Sequence, residues 1–234
     1  MHMRLHRFFI PTPVPSSGDF TVTDENLLNQ WRKVLRMDVG DTLVAFDGRG
    51  EEAVCTIDQL EKKSAMLSVV EYRKGIVPTR EIILFMALIK RDNFELVLQK
   101  ATELGVSRIV PIQTARSEKK GMNRERSEKI LREATEQSGR TTVPVLDDEV
   151  RLFDAVKKNH VPLIAFDPRG TLSARDIQDR TLEKLGIIIG PEGGFTEEEI
   201  LVFSEHNISI VCTGKTILRA ETAAVVALTL ALVE

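Results

Sequence analysis

Ile187-Ile188-Ile189-Gly190-Pro191-Glu192-Gly193-Gly194-Phe195-Thr196-Glu197-Glu198-Glu199, continued by Ile208-Ser209-Ile210-Val211-Cys212-Thr213-Gly214-Lys215-Thr216-Ile217-Leu218-Arg219-Ala220-Glu221-Thr222-Ala223, decides the fold of this 234-residue chain. Two short runs rich in Ile and Val each stop at a glycine turn, and each is followed by a helix signal. Buried parallel strands with loops at their carboxyl ends give that pattern, and open α/β sheets place ligands there. Thr196 with Glu199 three residues on forms a capping box, so a helix starts near Glu197. Gly193 and Gly194 permit a positive φ or a close backbone approach to a ligand. A lone Gly-Gly is more simply a turn. Two glycine loops in succession, the second followed by Arg219 and Glu221 in apolar surroundings, favour a site.

The same residues exclude several classes. Gly214-Lys215-Thr216 has the ending of a phosphate-binding P-loop, but Ser209 stands where that loop needs its first glycine,. Neither loop reads Gly-x-Gly-x-x-Gly, so a dinucleotide site has no support. Glu197, Glu198 and Glu199 already complement the positive end of their helix and repel a phosphate there. A ligand without phosphate, read largely by loop backbone, fits better.

Working outward, strands, helices and turns alternate from about residue 75 to the end, which implies a parallel sheet. Glu81–Ile89 reads as a strand. An amphipathic helix follows, with Phe94, Val97, Leu98, Ala101 and Leu104 on one face and Gly105 as its stop. Arg108–Ile112 and Val161–Phe166 read as strands, Leu152–Asn159 as a short helix, and Arg175–Leu185 leads into the motif strand. In such a fold the end of the strand at Phe166, Asp167-Pro168-Arg169-Gly170, borders the ligand. Ala220–Val233 is too short to cross a bilayer and reads as a helix buried against the sheet or a second subunit.

Before residue 75 the rhythm differs. Thr23–Met37 reads as a helix, and the runs Leu43–Phe46, Ala53–Ile57 and Ala65–Val70 are separated by turns at Gly48-Arg49-Gly50 and Glu61-Lys62-Lys63. That suggests a small antiparallel barrel, with Arg73–Pro78 as the linker. Residues 1–74 and 75–234 are thus the expected domains. His6-Arg7-Phe8-Phe9 near the start suits RNA stacking and phosphate contact, and equally a first strand burying alternate aromatics.

The composition is that of a soluble globular chain, 42% hydrophobic and 29% charged, and its net charge of −3 offers no global basic field for nucleic acid,. Any RNA-binding surface is therefore local. Between Gln113 and Arg140 eight basic side chains face five acidic ones, a net +3. An ion-paired helix explains the middle of that segment. The loop carrying Arg116, Lys119, Lys120 and Arg124 is the candidate for gripping RNA phosphates. Cys55 and Cys212, far apart, indicate a reducing cytoplasmic setting without a disulfide framework or metal site, Cys212 being read as a small core residue.

The run Ile189–Phe195, then Gly214 and Ile217–Ala223, resembles the RsmE family of small-subunit ribosomal RNA methyltransferases in the SPOUT superfamily. Phe94–Val106, Glu136–Arg140, the segment Val34–Asp41 and Phe46–Gly50 are similar to that family too, so the resemblance spans both halves. One departure is that Gln30 and Trp31 stand where the family commonly has a histidine. The resemblance implies a PUA-like RNA-binding β-barrel followed by a SPOUT α/β domain whose chain forms a trefoil knot around S-adenosylmethionine. It implies methylation of uridine N3 in 16S ribosomal RNA or the small subunit, and a homodimer. Carried onto this sequence, the cofactor residues are Phe166, Gly190, Pro191, Glu192, Gly193, Gly194, Thr213, Gly214, Ile217, Leu218, Arg219, Thr222 and Ala223. Arg7 is similar to a family Arg-Phe-Phe and is assigned to RNA, and Arg32 and Arg36 join it on the RNA-facing side. A solvated helix face is the alternative for the latter pair.

Uracil N3 must lose a proton while it meets the methyl group, so a cation near the carbonyls and a carboxylate base are wanted. Arg219 or Arg140 can be the cation. Glu221 or Glu192 can be the base if burial raises its pKa, or Glu221 can simply hold Arg219. The competing functions are a SPOUT enzyme acting on another nucleotide and a non-catalytic RNA-binding assembly factor.

Overall fold

The computed structural model describes residues 5–118, 121–173 and 182–232. The chain forms two compact units, Met1–Val77 with Thr135–Val143, and Pro78–Ala134 with Pro144–Glu234.

In the amino-terminal unit β1 (His6–Phe9), β2 (Asp19–Val22), β3 (Thr42–Phe46), β4 (Glu51–Leu60) and β5 (Ala65–Lys74) form one sheet in the order β1-β3-β4-β5-β2. The pairs β3–β4, β4–β5 and β2–β5 are antiparallel, as the alternating runs predict. The β1–β3 pair is parallel, which an all-antiparallel barrel does not allow for. A parallel neighbour needs a long crossover, and residues 10–41 supply it.

That crossover carries α1 (Glu25–Asn29), capped by Asp24, whose side chain accepts from the amides of Asn26 and Leu27 at 2.9 and 3.0 Å. Only this short piece is α-helical; Gln30–Leu35 winds on as a π-helix and stops at Arg36 in the left-handed region, φ 55°. Trp31 is fully buried on this segment, against Phe8 at 5.2 Å between ring centres, while Arg32, Lys33, Val34 and Arg36 are exposed.

The expected linker is partly a seam. Arg73 and Lys74 belong to β5, Ile76 pairs with Arg140, and the Thr141 amide donates to the Ile76 carbonyl at 3.0 Å. A Cβ on Gly75 would lie 2.1 Å from the Thr141 side chain, so only glycine lets these segments meet,. Through these bonds Thr135–Val143 joins the first unit.

The second unit contains β6 (Glu81–Ala87), α2 (Arg91–Leu104), β7 (Arg108–Gln113), α3 (Arg124–Ser138), β8 (Val145–Leu146), β9 (Val150–Arg151) and α4 (Leu152–Lys158). It continues through β10 (Leu163–Phe166), β11 (Leu172–Ser173), β12 (Lys184–Ile189), α5 (Glu197–Glu205), β13 (Ser209–Cys212) and α6 (Ala220–Leu232). The last residues of α3, from Thr135, belong to the first unit. The sheet order is β11-β13-β10-β12-β6-β7-β8 with β9 beside β7, and every pair is parallel. This is the expected α/β architecture. The core gathers Phe85, Ile112, Ile188, Phe195 and Phe203, the last two meeting edge to face at 4.9 Å.

α2 ends at Gly105 with φ 106°, as its sequence predicts. The buried residues of α6 are Ala220, Ala224, Ala227, Leu228 and Ala231, one stripe of mostly small side chains against α2, β6 and β12,. Part of the segment Arg175–Leu185 lies outside the described residues.

The first unit is bound together by a charge cluster. Glu52, buried, accepts from Arg7 at 2.5 Å and from Arg73 at 2.7 Å. Burial alone would push its carboxyl up, but the bonds and charges of Arg7 and then Arg73 outweigh that and hold it below the ordinary value of 4.5. A depressed folded-state pKa gives stability that is present above the unfolded value and lost as pH falls through the folded one. We expect Glu52→Gln to cost on the order of 3 kcal/mol at neutral pH, because Arg7 is left buried beside a neutral partner. Its stability should also fall less steeply on acidification. Denaturant titrations at several pH values, followed by the fluorescence of Trp31, the single tryptophan, would show both effects.

Candidate active site

Register sets the site. Phe166 on β10 pairs with Ile189 on β12 and with Val211 on β13, so three adjacent parallel strands end level. The segments leaving them, Asp167–Gly170, Gly190–Thr196 and Thr213–Arg219, surround one cleft of about 240 Å³. Of the expected cofactor residues it is lined by Phe166, Gly190, Pro191, Glu192, Gly194, Thr213, Ile217, Leu218, Arg219 and Ala223. Gly193, Gly214 and Thr222 are not in the lining. Asp167 and Pro168, from the segment at the strand end after Phe166, also line the cleft, as does Cys212.

The first glycine loop is fixed from several sides. A Cβ on Gly190 would stand 3.0 Å from the Phe195 ring, and Gly194 has φ 67°. The capping box forms, the Glu199 amide donating to Thr196 Oγ1 at 3.3 Å and the Thr196 amide to Glu199 Oε2 at 2.8 Å. Glu199 is buried, and its Oε1 accepts from the Ala115 amide at 2.9 Å, which ties the loop to the segment after β7. Arg116 lies against Gly193 and donates to its carbonyl at 2.6 Å.

From the β10 side, Arg169 donates to both Asp167 oxygens at 2.7 and 2.9 Å, to the Phe195 carbonyl at 3.0 Å and to Glu197 at 2.8 Å. Burial would raise the Asp167 carboxyl, but the Arg169 guanidinium and backbone donors hold it below its ordinary range. A Cβ on Gly170 would meet the backbone of Ile210, Val211 and Cys212 at 2.6–2.7 Å, so this turn lies directly on β13.

The second loop is more open. Gly214 has φ 144° and nothing within 4 Å of a would-be Cβ, so backbone conformation rather than crowding calls for glycine. Cys212 is not the core residue expected from its type. The last residue of β13, it is partly exposed, lines the cleft and donates from Sγ to the Gly214 carbonyl at 3.0 Å. Ile217, 83% exposed, and Arg219, also exposed, stand at the rim. Glu221 opens α6. Its Oε2 is buried and has no hydrogen-bond partner among the described residues, and no ion pair joins it to Arg219 there.

The remaining cations are placed as follows. Arg140 belongs to the first unit, is buried, and donates to Thr142 Oγ1 at 3.1 Å; burial pulls its guanidinium down to about 10. Arg7 is held by Glu52 and lies over the Phe46 ring at 5.6 Å. The strand reading of this segment accounts for Phe8, which is buried. Arg124 is bound by Glu128, Asp148 and the Leu146 carbonyl. Arg126 makes two bonds to Glu95, and these, foremost among several causes, hold that carboxyl down at about 2. Lys119 and Lys120 lie outside the described residues. Arg32 and Arg36 are exposed and, among the described residues, without ion pairs. Among the described residues no cluster of three or more His, Cys, Asp or Glu can hold a metal ion, and no helix is long and apolar enough to cross a membrane.

A cleft at level strand ends and a small β-rich unit before it are the two parts of a recognised class. The RNA methyltransferase domain profile matches residues 77–232, and the RNA methyltransferase PUA domain profile matches residues 32–70. The chain is 30% identical to the ribosomal RNA small subunit methyltransferase E of Rickettsia conorii, over 97% of this chain and 94% of that one. It is 31% identical to the Bacillus subtilis protein of the same name, covering 96% and 94%. The chain belongs to this family, ribosomal RNA small subunit methyltransferase E. A solved relative from Neisseria gonorrhoeae, bound to S-adenosyl methionine, superposes with a TM-score of 0.88 at 27% identity over 97% of this chain and 96% of that one. A Legionella pneumophila methyltransferase holding the same cofactor gives 0.87 at 29% identity, covering 98% and 97%.

Since a methyl group at Gly170 would press on main chain that cannot move aside, Gly170→Ala should destabilise the carboxyl-terminal unit by about 1–3 kcal/mol. Urea unfolding followed by circular dichroism checks this, and an unchanged midpoint would contradict the packing described.

Proposed function

We propose that this chain transfers a methyl group from S-adenosylmethionine to N3 of a uridine in the 16S ribosomal RNA of the small subunit. The observation that carries the reading is the cleft at three level strand ends, walled by backbone and apolar side chains. Such walls fit the cofactor: glycine turns admit close approach to a polar adenosine edge, and Ile189, Ile217 and Leu218 offer apolar surface to a purine,. Gly190, Pro191, Glu192, Gly194, Thr213, Leu218 and Ala223 would hold it, with Gly193 and Gly214 shaping the turns and Thr222 in the first turn of α6. The trefoil knot belongs to this proposal, as do a homodimer, a cytoplasmic setting and a division of labour near residue 74. Identity to relatives named as ribosomal RNA small subunit methyltransferase E supports the methyl-transfer reading itself.

When bound, the cofactor supplies an electrophilic methyl group, so no metal or covalent nucleophile is required. The work left to the chain is to align the uracil and ease the loss of its N3 proton. Arg219, at the rim, is placed to favour the uracil anion through its carbonyl oxygens. Glu221 is our candidate to accept the proton, since its buried Oε2 has an unused lone pair. The phosphate contacts we favour are the exposed Arg32 and Arg36 on the first unit and, on the second, Arg116.

Two measurements test the proposal. Calorimetry should detect stoichiometric binding of S-adenosylmethionine, and its absence would leave only an RNA-binding role. Mass spectrometry of ribosomal RNA from a strain lacking the gene should show one uridine without its N3 methyl group. Glu221→Gln should bind the cofactor normally while losing about 10²-fold or more in single-turnover methylation rate; full activity would remove Glu221 from the mechanism.

A further inference from the structure

We infer that Arg169 is the positioning residue of the cofactor cleft, a clamp that sets the first glycine loop against the end of β10. The inference rests on the cofactor reading above and adds a residue which that reading did not contain.

The guanidinium bridges two of the three segments around the cleft. On one side it grips Asp167, the first residue after β10, through a two-bond pair at 2.7 and 2.9 Å. On the other it donates to the Phe195 carbonyl at 3.0 Å and to Glu197 at 2.8 Å, across the junction of the Gly190–Gly194 turn and α5. Asp167 and Phe195 both line the cleft. The fixed fork of an arginine suits this arrangement, since one planar group satisfies a carboxylate and a carbonyl at set angles. Lysine, a compact charge on a flexible stem, lacks the fixed fork that holds both acceptors at these angles.

Each end of the clamp is anchored independently. Asp167 is 6% exposed, its amide donates to the Val211 carbonyl, and Gly170 pins the same turn on the β13 backbone. Phe195 is wedged under Gly190 and against Phe203, while Thr196 and Glu199 fix the helix start behind it. Arg169 therefore joins two rigid bodies whose separation defines the width of the cleft. It also neutralises Asp167, so the cleft presents no uncompensated negative charge from that side.

The test compares Arg169→Lys and Arg169→Ala with the wild type for cofactor binding, steady-state kinetics and thermal stability. Arg169→Lys keeps a charge beside Asp167, so its melting temperature should stay close to wild type. Its Kd and KM for S-adenosylmethionine should nonetheless rise about tenfold, with kcat changed much less. Arg169→Ala should lose affinity further, and guanidinium chloride should restore part of it where sodium chloride of equal ionic strength does not. A variant pair binding the cofactor within about twofold of wild type would overturn the clamp, as would a loss of kcat at unchanged KM. A wild-type protein that binds no S-adenosylmethionine would instead defeat the parent reading, so the two failures are separable.

Discussion

Three parallel strands that end at one height are the constraint from which the rest of the carboxyl-terminal unit follows. Hydrogen-bond register places Phe166, Ile189 and Val211 in a row, so the chain leaves the sheet three times at the same edge. Segments that emerge so close together must turn within a few residues of one another's backbone. This is why Gly170 lies on β13 and Gly190 on the Phe195 ring, where side chains would collide,. The cleft is the space those turns leave, and its walls are necessarily backbone and small or apolar side chains. Specificity in such a site comes from a few polar groups at its margin.

Charge is used differently from what its density along the chain suggests. The richest basic stretch, Gln113–Arg140, is engaged largely in internal work: Arg124 binds Glu128 and Asp148, Arg126 binds Glu95, and Arg116 holds the Gly193 carbonyl. Arg7 and Arg73 share Glu52. The exposed pairs among these contribute little stability each, unlike the buried Glu52 cluster, but they fix where each guanidinium points,. Exposed cations without ion pairs among the described residues, such as Arg32 and Arg36, retain their full attraction for phosphate,.

What could be read from the residues was whatever depends on neighbours in sequence. The Thr196–Glu199 capping box, the stop of α2 at Gly105 and the parallel character of the Ile- and Val-rich runs are all local signals, and each is present. The features that escaped are set by contacts between distant segments. The parallel β1–β3 pair depends on a crossover of some thirty residues, a length fixed by tertiary packing rather than by any motif,. Thr135–Val143 joins the first unit through Gly75 and Ile76, which no periodicity announces. Asp167 and Arg169 carried no signal beyond following a strand, because their importance comes from the Phe195 carbonyl 26 positions away. The π-helical winding of Gln30–Leu35 likewise hides behind an ordinary apolar periodicity.

The second glycine loop breaks local rules that the rest of its unit obeys, and the violations are clustered. Ile217 is 83% exposed, although burying such a side chain is worth about 1.5–3 kcal/mol,. Glu221 Oε2 is the one buried side-chain oxygen or nitrogen of this unit without a hydrogen-bond partner among the described residues, a deficit of about 1–3 kcal/mol,. By contrast Asp167 and Glu199, more deeply buried in the same unit than the half-buried Glu221, have their oxygens bonded. A fold that satisfies its other acids so fully has no intrinsic reason to neglect one beside an exposed isoleucine. The start of α6 favours a carboxylate through the helix dipole but supplies it no donor on that oxygen. Local inconsistencies of this kind gather where a guest completes the structure. An apolar ring laid over Ile217 and a donor offered to Glu221 would remove both deficits together, and a purine-bearing cofactor beside a uracil N3–H presents that pair of features.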